Sequence, residues 1–167
     1  MGKRRKARES ALQALYEIDT AGQDPTEALG DLAESFGTDD PKILGYAEGL
    51  IRGVVGNLEE LDAVIQAHSP NWKLARMARV DRNVLRLAAF ELRFREDVPL
   101  KVVLNEAIEV AKRFGSEGSA AFINGVLDRL GHALRDKEAK AADAAEAEEA
   151  TGTAESSAST EEGGEEP

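Results

Sequence analysis

Apolar residues recur at helical spacing along most of this chain, and sustained two-residue alternation occurs nowhere. That leaves a strand-based fold without its main signal, because a half-buried strand needs alternation and a helix needs a stripe every three to four residues. The clearest stripe is Leu100, Val103, Leu104, Ala107, Ile108, Ala111 and Phe114, opposite Lys101, Asn105, Glu109 and Lys112. A second runs through Val80, Val84, Leu87 and Phe94, with Leu85, Ala88 and Leu92 beside it, and places Glu91 among apolar neighbours. A third carries Ile123, Val126, Leu127 and Leu130 and fades near Leu134. In the first half, Asp24-Pro25 and Asp40-Pro41 pair an N-cap with a first-turn proline. They predict helices from about 25 to 36 and from about 41 to 55, after an opening helix from about 4 to 20 and before one from about 58 to 67. Gly115 suits a C-cap and Ser116 the N-cap of the last helix. About seven helices in one domain make an all-α bundle.

Charge divides the chain. The whole carries net −11, yet Lys3, Arg4, Arg5, Lys6 and Arg8 put five cations into the first eight residues. Fused to an amphipathic helix, such a cluster brings charge to a phosphate backbone in fixed geometry. From Lys137 onward, two lysines face ten acids, and no apolar residue is larger than Ala. This predicts a folded unit over 1–136 and a disordered acidic tail over 137–167. No cysteine is present, which excludes disulfides and thiolate metal sites and fits a reducing cytoplasm. No stretch is long and apolar enough to span a membrane.

Catalytic constellations are missing from the sequence. His68 and His132 lack ligand-type spacing, and there is no P-loop, dinucleotide fingerprint or HExxH. No cofactor or metal is implied. Glu91 reads as half of a buried structural ion pair. The corner at Gly115–Gly118 offers backbone N–H groups at a helix start, with the hydroxyls of Ser116 and Ser119. Phe114 reads as core; Phe122, nearer the edge of its stripe, is a candidate for base stacking.

Two segments resemble the NusB family of bacterial transcription antitermination factors: RRKARESALQALYEID at the start, and the block from DRNVLRLAAFELRF through NEAIEVAKRFG to FINGVLDRL. The resemblance covers roughly 3–135. It implies two packed helical subdomains without enzymatic activity, and binding of the boxA element of nascent ribosomal RNA together with NusE, a small-subunit ribosomal protein. It further implies loading onto RNA polymerase to suppress termination in ribosomal RNA operons, as a monomer or a homodimer. Carried over by position, the RNA-binding residues are Lys3, Arg4, Arg5, Arg8, Tyr16, Ser116, Glu117, Ser119 and Phe122. Asp81 and Arg82 are the candidates for the NusE face. Family members often have polar side chains where this chain has Gly118, Ala120 and Ala121. The alternative is the NusB-like N-terminal RNA-binding module of ribosomal RNA cytosine methyltransferases, which implies a further domain with a catalytic cysteine.

Overall fold

The computed structural model describes residues 2–135, and all regular structure among them is helical. The helices are α1 (Lys3–Ala21), α2 (Pro25–Gly30), α3 (Leu32–Phe36), α4 (Pro41–Gly56), α5 (Leu58–Ala67), α6 (Arg79–Phe94) and α7 (Leu100–Phe114). A final helix, α8, covers 119–135, and a 3₁₀ turn, Leu74–Arg76, lies between α5 and α6. The acidic segment 137–167 lies outside the described residues.

The predicted boundaries hold where capping chemistry is strong. Asp24 accepts from the Thr26 amide at 2.7 Å and Asp40 from the Lys42 amide at 2.9 Å, each satisfying a donor the helix start leaves open. Gly22, at φ 67°, ends α1 in the left-handed conformation. The single helix expected over 25–36 is instead two, broken at Asp31. Gly30 sits just before the break, and glycine costs about 1 kcal/mol relative to alanine inside a helix. Ser116 is not the N-cap of α8: the helix begins at Ser119, after Gly118 at φ 91°. A side chain at position 118 would be strained there, which accounts for glycine in place of a polar residue.

The core is one continuous apolar cluster. Helix α1 packs on α4 and α6, and α6 packs in turn on α5 and α7. Helices α1–α4 gather about α1, and α5–α7 gather about α6, so the α1–α6 contact joins two groups of helices. Leu85, Ala89 and Leu92 of α6 are fully buried, as are Leu127 and Leu130 of α8. Phe94, grouped by spacing with the inward stripe of α6, is instead exposed at the helix end, its ring against Phe90.

Candidate nucleic-acid interface

The N-terminal cations do not project together into solvent. Arg8 is buried and donates two hydrogen bonds to Glu91, at 2.6 and 2.7 Å. Tyr46 completes this site from α4, its hydroxyl donating to Glu91 Oε2 at 2.8 Å. Burial and then the adjacent Glu91 carboxylate push the Tyr46 phenol up to about 12. Burial works against the Arg8 charge, but the Glu91 bonds and charge outweigh it and raise the guanidinium pKa further. Arg8, expected among the RNA-binding residues, is a clamp between α1 and α6: its guanidinium is buried and matched to Glu91.

Arg5 is also engaged, donating to both oxygens of Glu106 on α7 at 2.7 and 2.9 Å. That hydrogen bond, reinforced by charge, holds the Glu106 carboxyl below the usual range. Lys3 pairs with Asp40 at 3.0 Å and Arg4 with Asp97 at 3.5 Å, but both side chains stay more than half exposed. Of the predicted basic residues, Lys3 and Arg4 present charge to solvent most fully; Lys6, not among the site candidates, is exposed as well.

At the other end of α1, Tyr16 meets the start of α6 and the end of α7. It lines a groove of about 360 Å³ with Leu12, Gln13, Glu17, Val80 and Phe114. This groove adjoins one of about 460 Å³ that adds Arg79, Asp81, Gly115 and Ser116. Tyr16 and Ser116, far apart in sequence, therefore share a surface. Ser119 is buried, its hydroxyl accepting from the Ser116 amide at 3.0 Å and lying 3.4 Å from the Ser116 hydroxyl, so it shapes the corner from beneath the surface. Glu117 is exposed in the turn, where a carboxylate repels phosphate.

Asp81 and Arg82 do not form an open partner face. Asp81 is only 8 % exposed and faces the Tyr16–Ser116 groove, with Oδ1 lacking a hydrogen-bond partner among the described residues. Arg82 donates to Asp19 Oδ2 at 3.0 and 2.6 Å and is largely covered. Burial pushes the Asp19 carboxyl up, but the hydrogen bonds from Arg82 and Asn83 outweigh it and hold the group below its ordinary value.

Trp72 escaped the sequence reading. It is 60 % exposed, and its ring meets Phe122 edge-on, at 5.8 Å between centroids and 74° between planes. Gln66 fixes the loop that carries it, donating to the Ser69 and Trp72 carbonyls at 3.2 and 2.9 Å and accepting from the Leu74 amide at 2.9 Å. The signal was available: a tryptophan in SPNWK, outside every helical stripe, has no core position to fill.

These features define a class: a small all-α binding module whose surface offers aromatic faces, a helix-start turn and partly paired cations. Comparison places it more narrowly. The NusB family model matches residues 5–132, and the chain belongs to the NusB family. It is 54% identical over 132 residues to transcription antitermination protein NusB of Anaeromyxobacter dehalogenans, covering 79% of this chain and 92% of that one. Among solved structures it is similar to NusB of T. maritima, at 39% identity and TM-score 0.68 over 77% of this chain and 89% of that one. It is also similar, at 30% identity and TM-score 0.73 over 80% and 98% of the two chains, to a crystal structure of antitermination factors NusB and NusE in complex with dsRNA. The match over most of a NusB antitermination protein favours that reading over the methyltransferase module. It is not an enzyme.

Proposed function

We propose that this protein is an RNA-binding transcription antitermination factor that engages boxA-type RNA jointly with NusE and acts within the RNA polymerase antitermination complex in the cytoplasm. The observation that carries the RNA contact is the exposed Trp72 ring set edge-on against the half-buried Phe122 beside the Gly115–Gly118 turn. Unpaired bases stack on such faces, and backbone N–H groups at a helix start donate to the neighbouring phosphate. Tyr16 extends the surface across the groove. Lys3, Arg4 and Lys6 add attraction that does not depend on sequence, because phosphate contacts position and base contacts specify. Arg5 and Arg8 support this surface by fixing α1 against α7 and α6. The complex of NusB and NusE with dsRNA supports the partnership by family likeness.

The test is titration of a short boxA RNA, read by Trp72 fluorescence and by anisotropy of labelled RNA. Phe122→Ala and Tyr16→Ala should weaken binding by about five- to hundredfold, from roughly 1–3 kcal/mol per stacked base. Retained wild-type affinity in both would overturn the aromatic surface as the RNA site.

A further inference from the structure

A second anion-accepting feature lies at the opposite end of α1 from the aromatic corner. Lys3, Arg4, Lys42, Gly45, Tyr46 and Arg95 line a pocket of about 480 Å³. Its floor is the Tyr46 ring, which carries guanidinium groups at 4.9 Å from Arg4, 5.6 Å from Arg8 and 5.3 Å from Arg95. Arg8 is neutralised by Glu91, and Lys3 and Arg4 are paired with Asp40 and Asp97. Lys42 and Arg95 form no ion pair among the described residues. The lining therefore holds four cations against two neighbouring carboxylates.

The position of Arg95 is built into the fold. A Cβ at residue 49 would lie 2.7 Å from its Nη2, so Gly49 leaves the space that the guanidinium fills. One turn further on, a Cβ at residue 53 would lie 2.2 Å from the Phe90 ring. Phe90 in turn lies 6.0 Å beneath the Arg95 guanidinium. A partly covered guanidinium, set against two aromatic rings and without a carboxylate partner among the described residues, keeps its planar donor fork unpaired there. That fork matches phosphate in two-point geometry, and an adjacent lysine supplies a further point charge.

We propose that the Tyr46 pocket is a phosphate-binding subsite, with Arg95 and Lys42 as its ligands and Lys3 and Arg4 at its rim. The phosphate comes from the backbone of RNA extending beyond the aromatic corner or from a free polyphosphate. Only the RNA source rests on the function proposed above.

The experiment labels arginine side chains with ¹⁵N in the full chain and titrates first pyrophosphate, then boxA RNA with and without flanking nucleotides. The Arg95 Nε–H resonance should shift saturably with pyrophosphate, and Arg95→Gln with Lys42→Gln should weaken that binding at least tenfold. Lys42→Gln alone, at an exposed position, should weaken it severalfold without touching the packing beneath Arg95. If flanked RNA displaces pyrophosphate, the source is the RNA backbone. The double variant should then flatten the slope of log affinity against log salt by about 0.7 per phosphate lost. If pyrophosphate binds but RNA does not displace it, the source is a free polyphosphate. An Arg95 resonance that neither ligand moves overturns the pocket, even while Trp72 reports RNA and the proposed function stands. Pyrophosphate binding that the double variant retains at full strength overturns the assignment to Arg95 and Lys42. An Arg95 shift with pyrophosphate and no RNA signal at Trp72 would instead remove the RNA function and leave the pocket.

Discussion

Glu91→Leu should be among the most destabilising single substitutions in this chain. Glu91 is 2 % exposed, accepts both Arg8 hydrogen bonds and also accepts from the Tyr46 hydroxyl. Leucine fits the apolar surroundings, so packing loss is small and electrostatics decide the outcome. The change strands a buried guanidinium and leaves the Tyr46 hydroxyl without its partner. Breaking a buried pair from one side costs about 3–5 kcal/mol, and an orphaned hydroxyl adds about 1–3 kcal/mol. Glu106 Oε2, 4.0 Å from Arg8 Nη1, offsets part of this, so about 4 kcal/mol is expected overall. Against a typical total of roughly 5–15 kcal/mol, that is a large fraction. Arg8→Met with Glu91→Leu should recover most of the loss, because replacing a whole buried pair with apolar groups is often near neutral. Urea denaturation of the two single variants and the double variant measures the coupling. A Glu91→Leu cost below about 1 kcal/mol, or a double variant no better than the single, would refute the clamp.

Other outcomes follow from the same geometry. Gly53→Ala should destabilise by about 1–2 kcal/mol, since the Phe90 ring occupies the methyl position and overpacking outweighs a helix-propensity gain of about 1 kcal/mol. Gly45→Ala, in the same helix with nothing within 4 Å, should stabilise by about 0.5–1 kcal/mol; thermal melts that give both changes the same sign would contradict this. Asp19 and Glu106 have depressed folded-state pKa values. Their stabilisation is fully present above the unfolded values of about 4 and is lost as pH falls through the folded ones. The melting temperature should therefore fall from about pH 5 downward, and Asp19→Asn should flatten that fall; an unchanged acid limb in the variant would remove Asp19 as a cause. Trp72→Ala should lower RNA affinity about five- to hundredfold while leaving urea stability within about 1 kcal/mol, since the ring is mostly exposed.

Helix ends are legible in the sequence where local chemistry decides structure. Asp24-Pro25, Asp40-Pro41 and the stripes of α6 and α7 placed helix ends to within a residue or two, because caps and apolar faces are encoded within one turn. Glu91 was legible for the same reason, as a carboxylate among apolar positions. Its partners were not: Arg8 is 83 residues distant, and nothing local marks one arginine of a basic run as the buried one. The basic cluster therefore read as a free patch, although Arg5 and Arg8 turn inward to α7 and α6. The burial of Asp81 and Arg82 was hidden similarly, since it depends on how α1 and α7 close over the start of α6. The Tyr46 pocket was invisible because it joins three distant segments. Trp72 was readable from its position outside every stripe.

The most direct test of joint recognition is the affinity for boxA RNA and for a scrambled RNA of equal length, each with and without NusE, at fixed salt. Alone, this protein should bind both RNAs weakly and with little preference, since its free cations attract phosphate without choosing bases. With NusE present, boxA should bind tighter, and the ratio of boxA to scrambled affinity should rise at least tenfold. An identical ratio with and without NusE would contradict the account.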